Sequence, residues 1–389
     1  MKKEEILKEI FDKLDISQTM HDNATEKYKN IAKVLEDNGL DASIYPQGSF
    51  SIGTVIRPYK EGKDRDYDLD FVCQIRGTKD DFEPKEIKDS VGDILKKDGR
   101  YSPKLKEYDR CWTIEYADIS DGVGFNIDIV PSTSETQNYI NFLISRGIEI
   151  NKAENAIAIT HKENNEFSWI STNPAAYAEW FNEKNKNAFK HYIYKQKSNI
   201  FNEYRMLYGS IEEVPDYKVK TPLQRVIQIL KRHRDIYYDR GKANNFKPAS
   251  IIITTLLAEI SNFSDGTEEI FEFLNFAVEE LRSMENYFLK SNAPNLSKIL
   301  SSMISKVGED NWEMKNPVNP EDNLLDCWDN KTATMFFKWL EEVKEDLLDT
   351  TISREYIENK VTSSLAVNLK NSKSEHIIRK VEPVKPWKD

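Results

Sequence analysis

The sequence predicts an α+β protein of two lobes: an α/β half that carries strand carboxylates, and a half that is almost entirely helical. Its 389 residues suit two domains, each long enough to bury a core. Before residue 169, short runs alternate apolar and polar side chains, which is typical of half-buried strands. Beyond it, apolar residues recur mainly at helical spacing. We therefore expect one domain over residues 1–210 and a second over residues 211–389.

Composition and charge restrict the classes of function. The net charge of −11 disfavours a sequence-independent grip on nucleic acid, which usually needs a basic face. The three cysteines, Cys73, Cys111 and Cys327, are too few and too scattered for a disulfide framework. No run of 18 apolar residues occurs, and the first residues fit an amphipathic helix better than a signal peptide. These features predict a cytoplasmic protein with reduced thiols and no membrane span.

The first half is predicted to alternate helices and strands. The second helix should stop near Asn38 and Gly39, which are typical of a helix C-terminus. Strands 111–116 and 122–130 should pair antiparallel, and Pro131 should end the second one because proline cannot donate to a strand ladder. The predicted helices cover residues 3–14, 17–38 and 85–97, and the predicted strands residues 42–45, 71–75, 111–116, 122–130 and 156–159.

The second half is predicted to be helical from about Trp169 onward. Thr172 or Asn173 can cap the first of these helices, and Pro174 suits its first turn. The other predicted helices cover residues 222–240, 249–262, 267–287, 295–306 and 331–347.

Three aspartates on predicted strands are the main functional signal. Asp68 and Asp70 lie two residues apart, so on an extended chain both point to the same side, about 6–7 Å apart. Two carboxylates this close repel each other unless a divalent cation neutralises both. Asp128 is a lone carboxylate in a second strand-like run.

A Gly-Ser pair, Gly48-Ser49, lies upstream of these carboxylates and directly after Gln47. Glycine lets the backbone approach a triphosphate closely, while Ser49 can donate its hydroxyl and its N–H to phosphate oxygens. Phosphoryl transfer depends on positioning and charge neutralisation, which two metal ions can provide. Each fragment alone is common, since a Gly-Ser pair is a turn in most proteins. Their order and spacing together are similar to the two-metal site of polymerase-β-like nucleotidyltransferases.

The helical half offers a second set of polar residues. Lys231 lies in a basic stretch of an otherwise apolar helix, and Ser250 lies at the N-terminus of the next apolar helix. Free N–H groups and the positive end of the helix dipole attract phosphate there. Alone, this stretch is more typical of a solvated basic helix end and a simple N-cap than of a phosphate site. With the aspartates in view, we expect a phosphate clamp.

Several motifs together resemble a known family. The chain is similar to the bacterial cGAS/DncV-like nucleotidyltransferases (CD-NTases), the enzymes of cyclic-oligonucleotide antiphage signalling. The resemblance spans roughly residues 40–330. It rests on residues 47–50, 53–54, 66–70, 126–131, 173–174, 180–181, 223–225, 230–235, 247–250 and 316–323.

The resemblance implies a fold and a set of roles. The fold would be a polymerase-β-like core, with a mixed sheet flanked by helices and an N-terminal spine helix, plus a helical lobe like that of oligoadenylate synthases. Asp66 and Asp68 also form an Asp-x-Asp; we prefer Asp68 and Asp70 because the apolar strand follows directly, as the family pattern requires. The implied metal ligands and catalytic residues are Asp68, Asp70 and Asp128 with two Mg²⁺ ions, for which Mn²⁺ can substitute, and the implied nucleotide-binding residues are Gln47, Gly48, Ser49, Lys231 and Ser250.

The resemblance also implies an activity. We expect an enzyme that joins NTPs, ATP among them, into a cyclic di- or trinucleotide and releases pyrophosphate. The alternatives are a linear-oligonucleotide synthase, an enzyme that modifies protein or RNA, and a nucleotide-binding sensor without turnover. Nothing in the chain could form the zinc-bearing insertion of the animal DNA sensor, so no DNA activator is expected. A regulatory partner protein could engage the tail after Lys370.

Overall fold

A computed structural model of the chain describes residues 3–120, 123–205, 208, 210–214, 219–289, 300, 303–348 and 353–369. The tail after Lys370 lies outside the described residues. Among the described helices, none combines the length and the apolar character that crossing a bilayer requires.

Two helices open the chain, as the sequence predicts. Helix α1 spans Lys3–Leu14 and helix α2 spans Gln18–Asp37. The Ser17 side chain caps α2 by accepting a hydrogen bond from the Met20 N–H. The apolar faces of the two helices are buried in different cores: α1 packs among other helices, and α2 packs against a sheet.

The sheet of the first half has seven strands and is mixed. Its spatial order is β1-β4-β7-β6-β5, and β8 pairs with both β7 and β9. Strands β4 and β7 run parallel, whereas the other pairs are antiparallel. The strands of the first half are β1 Ala42–Pro46, β2 Tyr59–Lys60, β3 Lys63–Asp64, β4 Tyr67–Thr78, β5 Leu105–Glu107, β6 Trp112–Ser120, β7 Val123–Ser134, β8 Ile157–Glu163 and β9 Glu166–Thr172.

Two details of the first half differ from the prediction. Pro131 does not end its strand, because β7 continues to Ser134. Pairing with β6 stops at Ile129 and pairing with β8 begins at Ser132, so the missing N–H of Pro131 falls in the gap between these two neighbours. Residues 169–172 belong to strand β9 rather than to a helix; the helix begins at Pro174 and is capped by Asn173, as predicted.

Six of the remaining α-helices in the described residues correspond to predicted helices, namely those that begin at Pro84, Pro174, Pro222, Ser250, Ile270 and Asn330, and the other six were not predicted. The remaining α-helices are α3 Gly48–Ser51, α4 Pro84–Lys97, α5 Gln137–Ser145, α6 Ile150–Ala153, α7 Pro174–Ala188, α8 Lys190–Glu203, α9 Pro222–Arg240, α10 Ser250–Ser261, α11 Ile270–Leu289, α12 Asn330–Leu347, α13 Arg354–Tyr356 and α14 Thr362–Ser364.

The prediction of a helix over residues 295–306 is wrong at its described end. A small antiparallel sheet forms there instead, from β10 Ile304–Val307, β11 Asn311–Asn316 and β12 Asn319–Asn323. Trp312 and Met314 alternate with exposed or half-exposed residues on β11, which is the period-two pattern of a half-buried strand.

Two large hydrophobic cores organise the molecule. One lies between the sheet and helices α2 and α4, and buries Leu69 and Ile127. The other is formed largely by helices α9 to α12, and buries Leu230. Helices α1 and α7 contribute Ile6 and Phe181 to this second core, although both helices precede residue 210. The division of the chain at residue 210 stays a prediction.

Candidate active site

The three predicted aspartates lie on the two parallel strands of the sheet. In the register of β4 and β7, Asp70 is the partner of Asp128 and Asp68 is the partner of Asn126. Residues that are paired across a strand point to the same face. Asp70 and Asp128 are therefore adjacent on one face of the sheet, with Asp68 two positions along on the same face.

Neighbouring side chains orient two of these carboxylates. The Asn126 Nδ2 donates to Asp68 Oδ1 at 3.0 Å. Thr113, the partner of Asp128 on β6, donates its hydroxyl to Asp128 Oδ1. These contacts fix the direction in which Asp68 and Asp128 present their other oxygens.

Asp70 lies in surroundings that disfavour the charged form of its carboxyl group. Burial, followed by the negative charges of Asp128 and Asp68, raises its pKa to about 7, and Lys231 only partly offsets this. Burial is also the largest cause of the raised pKa of Asp128, which the Thr113 hydrogen bond and a hydrogen bond from Cys111 oppose. The cluster thus lacks positive charge, which is the condition that a bound cation would correct.

The donor set suits a hard cation. Carboxylate oxygens are the ligands that Mg²⁺ prefers, and Mg²⁺ usually combines one or two of them with substrate phosphates. Within the described residues, no group of three or more His, Cys, Asp or Glu side chains is arranged so that it could hold a metal ion. The three aspartates match Mg²⁺ in ligand chemistry and lie on one face of the sheet, but their arrangement does not by itself form a metal site, so phosphate oxygens would have to complete the coordination.

Asp66, the competing member of the Asp-x-Asp pattern, has another task. Its Oδ1 accepts a hydrogen bond from the Gly124 N–H at 2.9 Å, at the start of β7. Asp66 thus secures the parallel pairing that sets Asp70 beside Asp128. This geometry supports the choice of Asp68 and Asp70 as the pair that faces the site.

The Gly-Ser turn lies directly over Asp70. The Gln47 N–H donates to the Asp70 carbonyl at 2.8 Å, and the chain then turns into α3. Gly48 has φ +60°, and a Cβ at this position would lie 3.1 Å from Asp70 Oδ2. Only glycine combines this backbone conformation with so close an approach to the carboxylate. The turn brings the Ser49 hydroxyl and backbone to the same cleft.

Helices α9 and α10 form the opposite side of this cleft. Lys231 is buried and its Nζ donates to the Thr54 carbonyl at 2.9 Å. Burial, with a smaller contribution from Arg234, lowers the pKa of Lys231 to about 7. Ser250 is the first residue of α10, and its Oγ accepts a hydrogen bond from Arg234 Nη1 at 3.0 Å.

One cleft of about 570 Å³ joins the two sides. We call the side of the cleft formed by the sheet the sheet wall, and the side formed by the helices the helix wall. Asp128 lies behind the sheet wall, on β7. The sheet wall comprises Gln47, Gly48, Ser49, Asp68 and Asp70, and the helix wall comprises Lys231, Arg234, Asp235, Lys247 and Ser250. Seven of the eight residues that the sequence singles out thus line one cleft, and the eighth, Asp128, is the strand partner of Asp70.

Sequence reasoning did not assign roles to several residues of the site. Thr113 and Asn126 are polar residues on strands next to the aspartates, so the strand register would have indicated them. Arg234 was visible only as part of a basic stretch. Tyr177, whose hydroxyl shares a 2.8 Å hydrogen bond with Thr255 Oγ1, lines the cleft but left no local signal. Asn316 also lines the cleft, and the sequence showed it only as part of the segment 316–323 that carries the resemblance.

Comparison with known proteins agrees with this architecture. Residues 1–145 match the family described as the Second Messenger Oligonucleotide or Dinucleotide Synthetase domain. A protein of Roseivirga ehrenbergii named c-di-GMP synthase is 29% identical over 334 residues, which are 84% of this chain and 73% of that protein.

Three solved structures illustrate the likeness in fold. The Bradyrhizobium diazoefficiens CD-NTase CdnG in complex with GTP has a TM-score of 0.64 at 20% identity, over 94% of this chain and 98% of that one. The E. coli MS115-1 CdnC:HORMA-deltaN complex gives 0.59 at 15% identity, over 93% and 96% of the two chains. The Vibrio cholerae DncV cyclic AMP-GMP synthase with the linear intermediate 5′ pppA(3′,5′)pG gives 0.55 at 15% identity, over 93% and 94%. These similarities confirm the predicted two-lobed fold.

Proposed function

Since the chain belongs to the cGAS/DncV-like nucleotidyltransferases (CD-NTases) and is a nucleotidyltransferase, we propose that it joins two or three NTPs into a cyclic nucleotide. The observation that carries this proposal is the cleft, in which Asp68 and Asp70 lie opposite Lys231 and Ser250 of the other lobe, with Asp128 paired to Asp70 on the neighbouring strand. A donor triphosphate and an acceptor hydroxyl can meet there.

Each round of the proposed reaction forms one phosphodiester bond. A ribose hydroxyl oxygen attacks the α-phosphorus of the donor NTP, the bond from that phosphorus to the bridging oxygen breaks, and pyrophosphate leaves. The hydroxyl proton passes to Asp128. A second round in the same site closes the linear intermediate on its own 5′ triphosphate, so each bond releases one pyrophosphate.

The residues of the two walls divide the work. Gln47, Gly48 and Ser49 hold the donor phosphates from the sheet wall, and Lys231 and Ser250 hold them from the helix wall. Asp68, Asp70 and Asp128 would hold two Mg²⁺ ions, or Mn²⁺ in their place. When bound, these ions neutralise the phosphate charge and stabilise the attacking and leaving oxygens.

The relatives support a narrower choice of substrate and setting. The Roseivirga relative is named c-di-GMP synthase, which supports a cyclic dinucleotide and adds GTP to the expected ATP. CdnC of E. coli MS115-1 was solved together with a HORMA protein, which supports a regulatory partner protein. We propose a cytoplasmic role in antiphage defence, without a DNA activator.

The test is incubation of the purified protein with all four NTPs and Mg²⁺, then phosphatase treatment and mass spectrometry. A phosphatase-resistant species without terminal phosphates is expected, and its mass gives the bases and the ring size. Oligomers whose terminal phosphates are removed would favour the linear-product alternative. NTPs that are bound but never converted, with or without the candidate partner, would favour the sensor alternative. The protein with both Asp68→Asn and Asp70→Asn is the matched control.

A further inference from the structure

The segment of residues 52–57, which we call the crossing segment, follows the Gly-Ser turn and links the two cores. Ile52 packs into the helical core, whereas Val55 packs into the core beneath the sheet. The Thr54 N–H donates to the Ser49 carbonyl at 2.9 Å. Any shift of this segment therefore reaches Ser49 through a direct backbone hydrogen bond.

Side chains on and just before α9 hold the crossing segment by its carbonyl groups. Gln224, Gln228 and Lys231 follow one another at i, i+4 and i+7, so they lie on one face of the helix. Together with Lys220 and Arg232, these side chains donate hydrogen bonds to the carbonyl groups of residues 52, 53, 54, 55 and 57. The bonds are Gln224 Nε2 to Ile52 O at 2.9 Å, Lys220 Nζ to Gly53 O, Lys231 Nζ to Thr54 O at 2.9 Å, Gln228 Nε2 to Val55 O at 2.7 Å and Arg232 Nη1 to Arg57 O at 3.0 Å.

Each of the two glutamines forms hydrogen bonds through both its amide oxygen and its amide nitrogen. Gln228 is fully buried, and its Oε1 accepts from Arg225 Nη1 at 3.0 Å. The Gln224 Oε1 accepts from the Thr221 N–H at 3.0 Å, within the cap of α9. With each oxygen occupied, each amide nitrogen has to point at the crossing segment. The sequence alone showed Gln228 only as part of a predicted helix, and Gln224 only as part of the segment 223–225 that carries the resemblance, with no role for either.

Gly53 provides an independent sign that this contact is tight. Its φ is +69°, and a Cβ there would lie 2.8 Å from Gln224 Nε2 and 3.3 Å from Lys220 Nζ. A side chain at this position could not fit without displacing the donors. The backbone of the crossing segment is thus drawn directly against α9.

We propose that Gln224 and Gln228 are positioning residues for the donor triphosphate. They hold the crossing segment, and through Thr54 the Ser49 backbone, in a place set by the helical lobe. The inference rests on the proposed function, because the proposed function is what places the donor phosphates at the Gly-Ser turn. Neither glutamine lines the cleft, so each acts through the backbone that it holds.

The test compares binding of triphosphates and monophosphates to the variant Gln228→Glu. Glutamate keeps the size of the side chain and the contact to Arg225, but it places an oxygen against the Val55 carbonyl where an N–H donor stood. We expect the Kd for nonhydrolysable ATP and GTP analogues with Mg²⁺ to rise about tenfold, which corresponds to about 1.4 kcal/mol, because the crossing segment loses one of the hydrogen bonds that position it. The Kd for AMP and GMP should change less than about twofold, because they lack the β- and γ-phosphates.

Two further variants make the result decisive. Gln74→Glu is the matched control, since Gln74 is held within the sheet lobe by Tyr45 and Ser134, and it should leave both Kd values unchanged. Gln228→Asn, whose amide is too short to reach Val55 O, replaces Gln228→Glu if the latter does not fold.

Unchanged triphosphate binding in a folded Gln228 variant would overturn the inference. Equal weakening of triphosphate and monophosphate binding would also overturn it, because that pattern indicates a general structural defect. Wild-type protein that binds no nucleotide would instead contradict the proposed function itself, before any variant is compared.

Discussion

The two walls of the cleft differ in whether the protein itself provides partners for their charged side chains. On the helix wall the cations have protein partners: Lys231 donates to Thr54 O, and Arg234 binds Asp235 and Ser250. On the sheet wall Asp70 lies beside two further carboxylates, and hydrogen bonds contribute nothing to its pKa shift. The helix wall is therefore complete as folded protein, whereas the sheet wall is completed only by a positively charged ligand.

The contrast also appears in the titration of the two central groups. Burial raises the pKa of Asp70 and lowers that of Lys231, in each case to about 7. Both walls thus disfavour charge until substrate arrives. A cation on the sheet wall and a phosphate on the helix wall would each restore the charged form.

Removing the carboxylates of the sheet wall should have the largest effect. The double variant Asp68→Asn, Asp70→Asn should lower turnover by at least about a thousandfold, because the metal-binding oxygens are lost. Its fold should persist, since the change relieves repulsion among crowded carboxylates. Product formation and circular dichroism check the two halves of this prediction. Turnover at the wild-type rate would show that the metal ligands are assigned wrongly.

Removing the central cation of the helix wall should have a smaller effect. Lys231→Met should reduce kcat/KM about 10- to 100-fold, because a charge-assisted contact to phosphate is worth about 1.5–3 kcal/mol. Steady-state kinetics with varied NTP measures it. Lys338→Met is the matched control, since Lys338 is an exposed residue of α12 and should leave kinetics unchanged. Equal losses in the two variants would contradict a role for Lys231 in the cleft.

Thr113 tests how far the sheet wall depends on its supporting hydrogen bonds. Thr113→Val keeps the shape but removes the hydroxyl that donates to Asp128. We expect kcat to fall about tenfold with KM nearly unchanged, since about 1.4 kcal/mol corresponds to a tenfold change in rate. Thr113→Ser retains the hydroxyl and should recover most of the activity. A serine variant as slow as the valine variant would indicate a packing role instead.

The smallest of these effects should be on the pH dependence of stability, in which Asp70 of the sheet wall and Lys231 of the helix wall act in opposite directions. Because the folded pKa of Asp70 lies above its unfolded value, the native state binds the extra proton between about pH 4 and 7, and its contribution to the free energy of unfolding falls as pH rises. For Lys231 the folded pKa lies below the unfolded value, so its contribution rises with pH between about pH 7 and 10.5.

Urea unfolding of wild type, Asp70→Asn and Lys231→Met at pH 4.5, 7 and 9 measures these two windows. Asp70→Asn should gain about 1–2 kcal/mol on wild type between pH 4.5 and 7, a discounted value because the carboxyl is partly open to the cleft. Saturating Mg²⁺ should abolish that gain, because the cation stabilises the charged wild-type carboxylate. Stability curves that stay parallel for Asp70→Asn and wild type would contradict the raised pKa of Asp70.

Local sequence was enough to predict the longer helices and the strands that carry the site. Period-two and helical patterns located β1, β4, β6, β7 and β8 and most of the long helices, but they missed the short elements, helix α8 and the small sheet of the second half. The Gly-Ser turn and the three aspartates were recognisable by residue type and order. The errors came where a neighbour overrides local preference. Pro131 stays in its strand because pairing on one side lapses at that residue, and β11 forms because another strand lies on each side of it.

The sequence by itself determined which residues are acidic, which are basic, and which face of each strand or helix they occupy, because periodicity and side-chain chemistry are local properties. Only the tertiary structure decided that Asp70 meets Asp128, since that depends on the parallel register of two strands far apart in the chain. The tertiary structure alone also showed that two glutamines of α9, for which the sequence indicated no role, donate to the crossing segment. Such contacts join residues more than 170 positions apart, and only packing of the two lobes brings them within hydrogen-bonding distance.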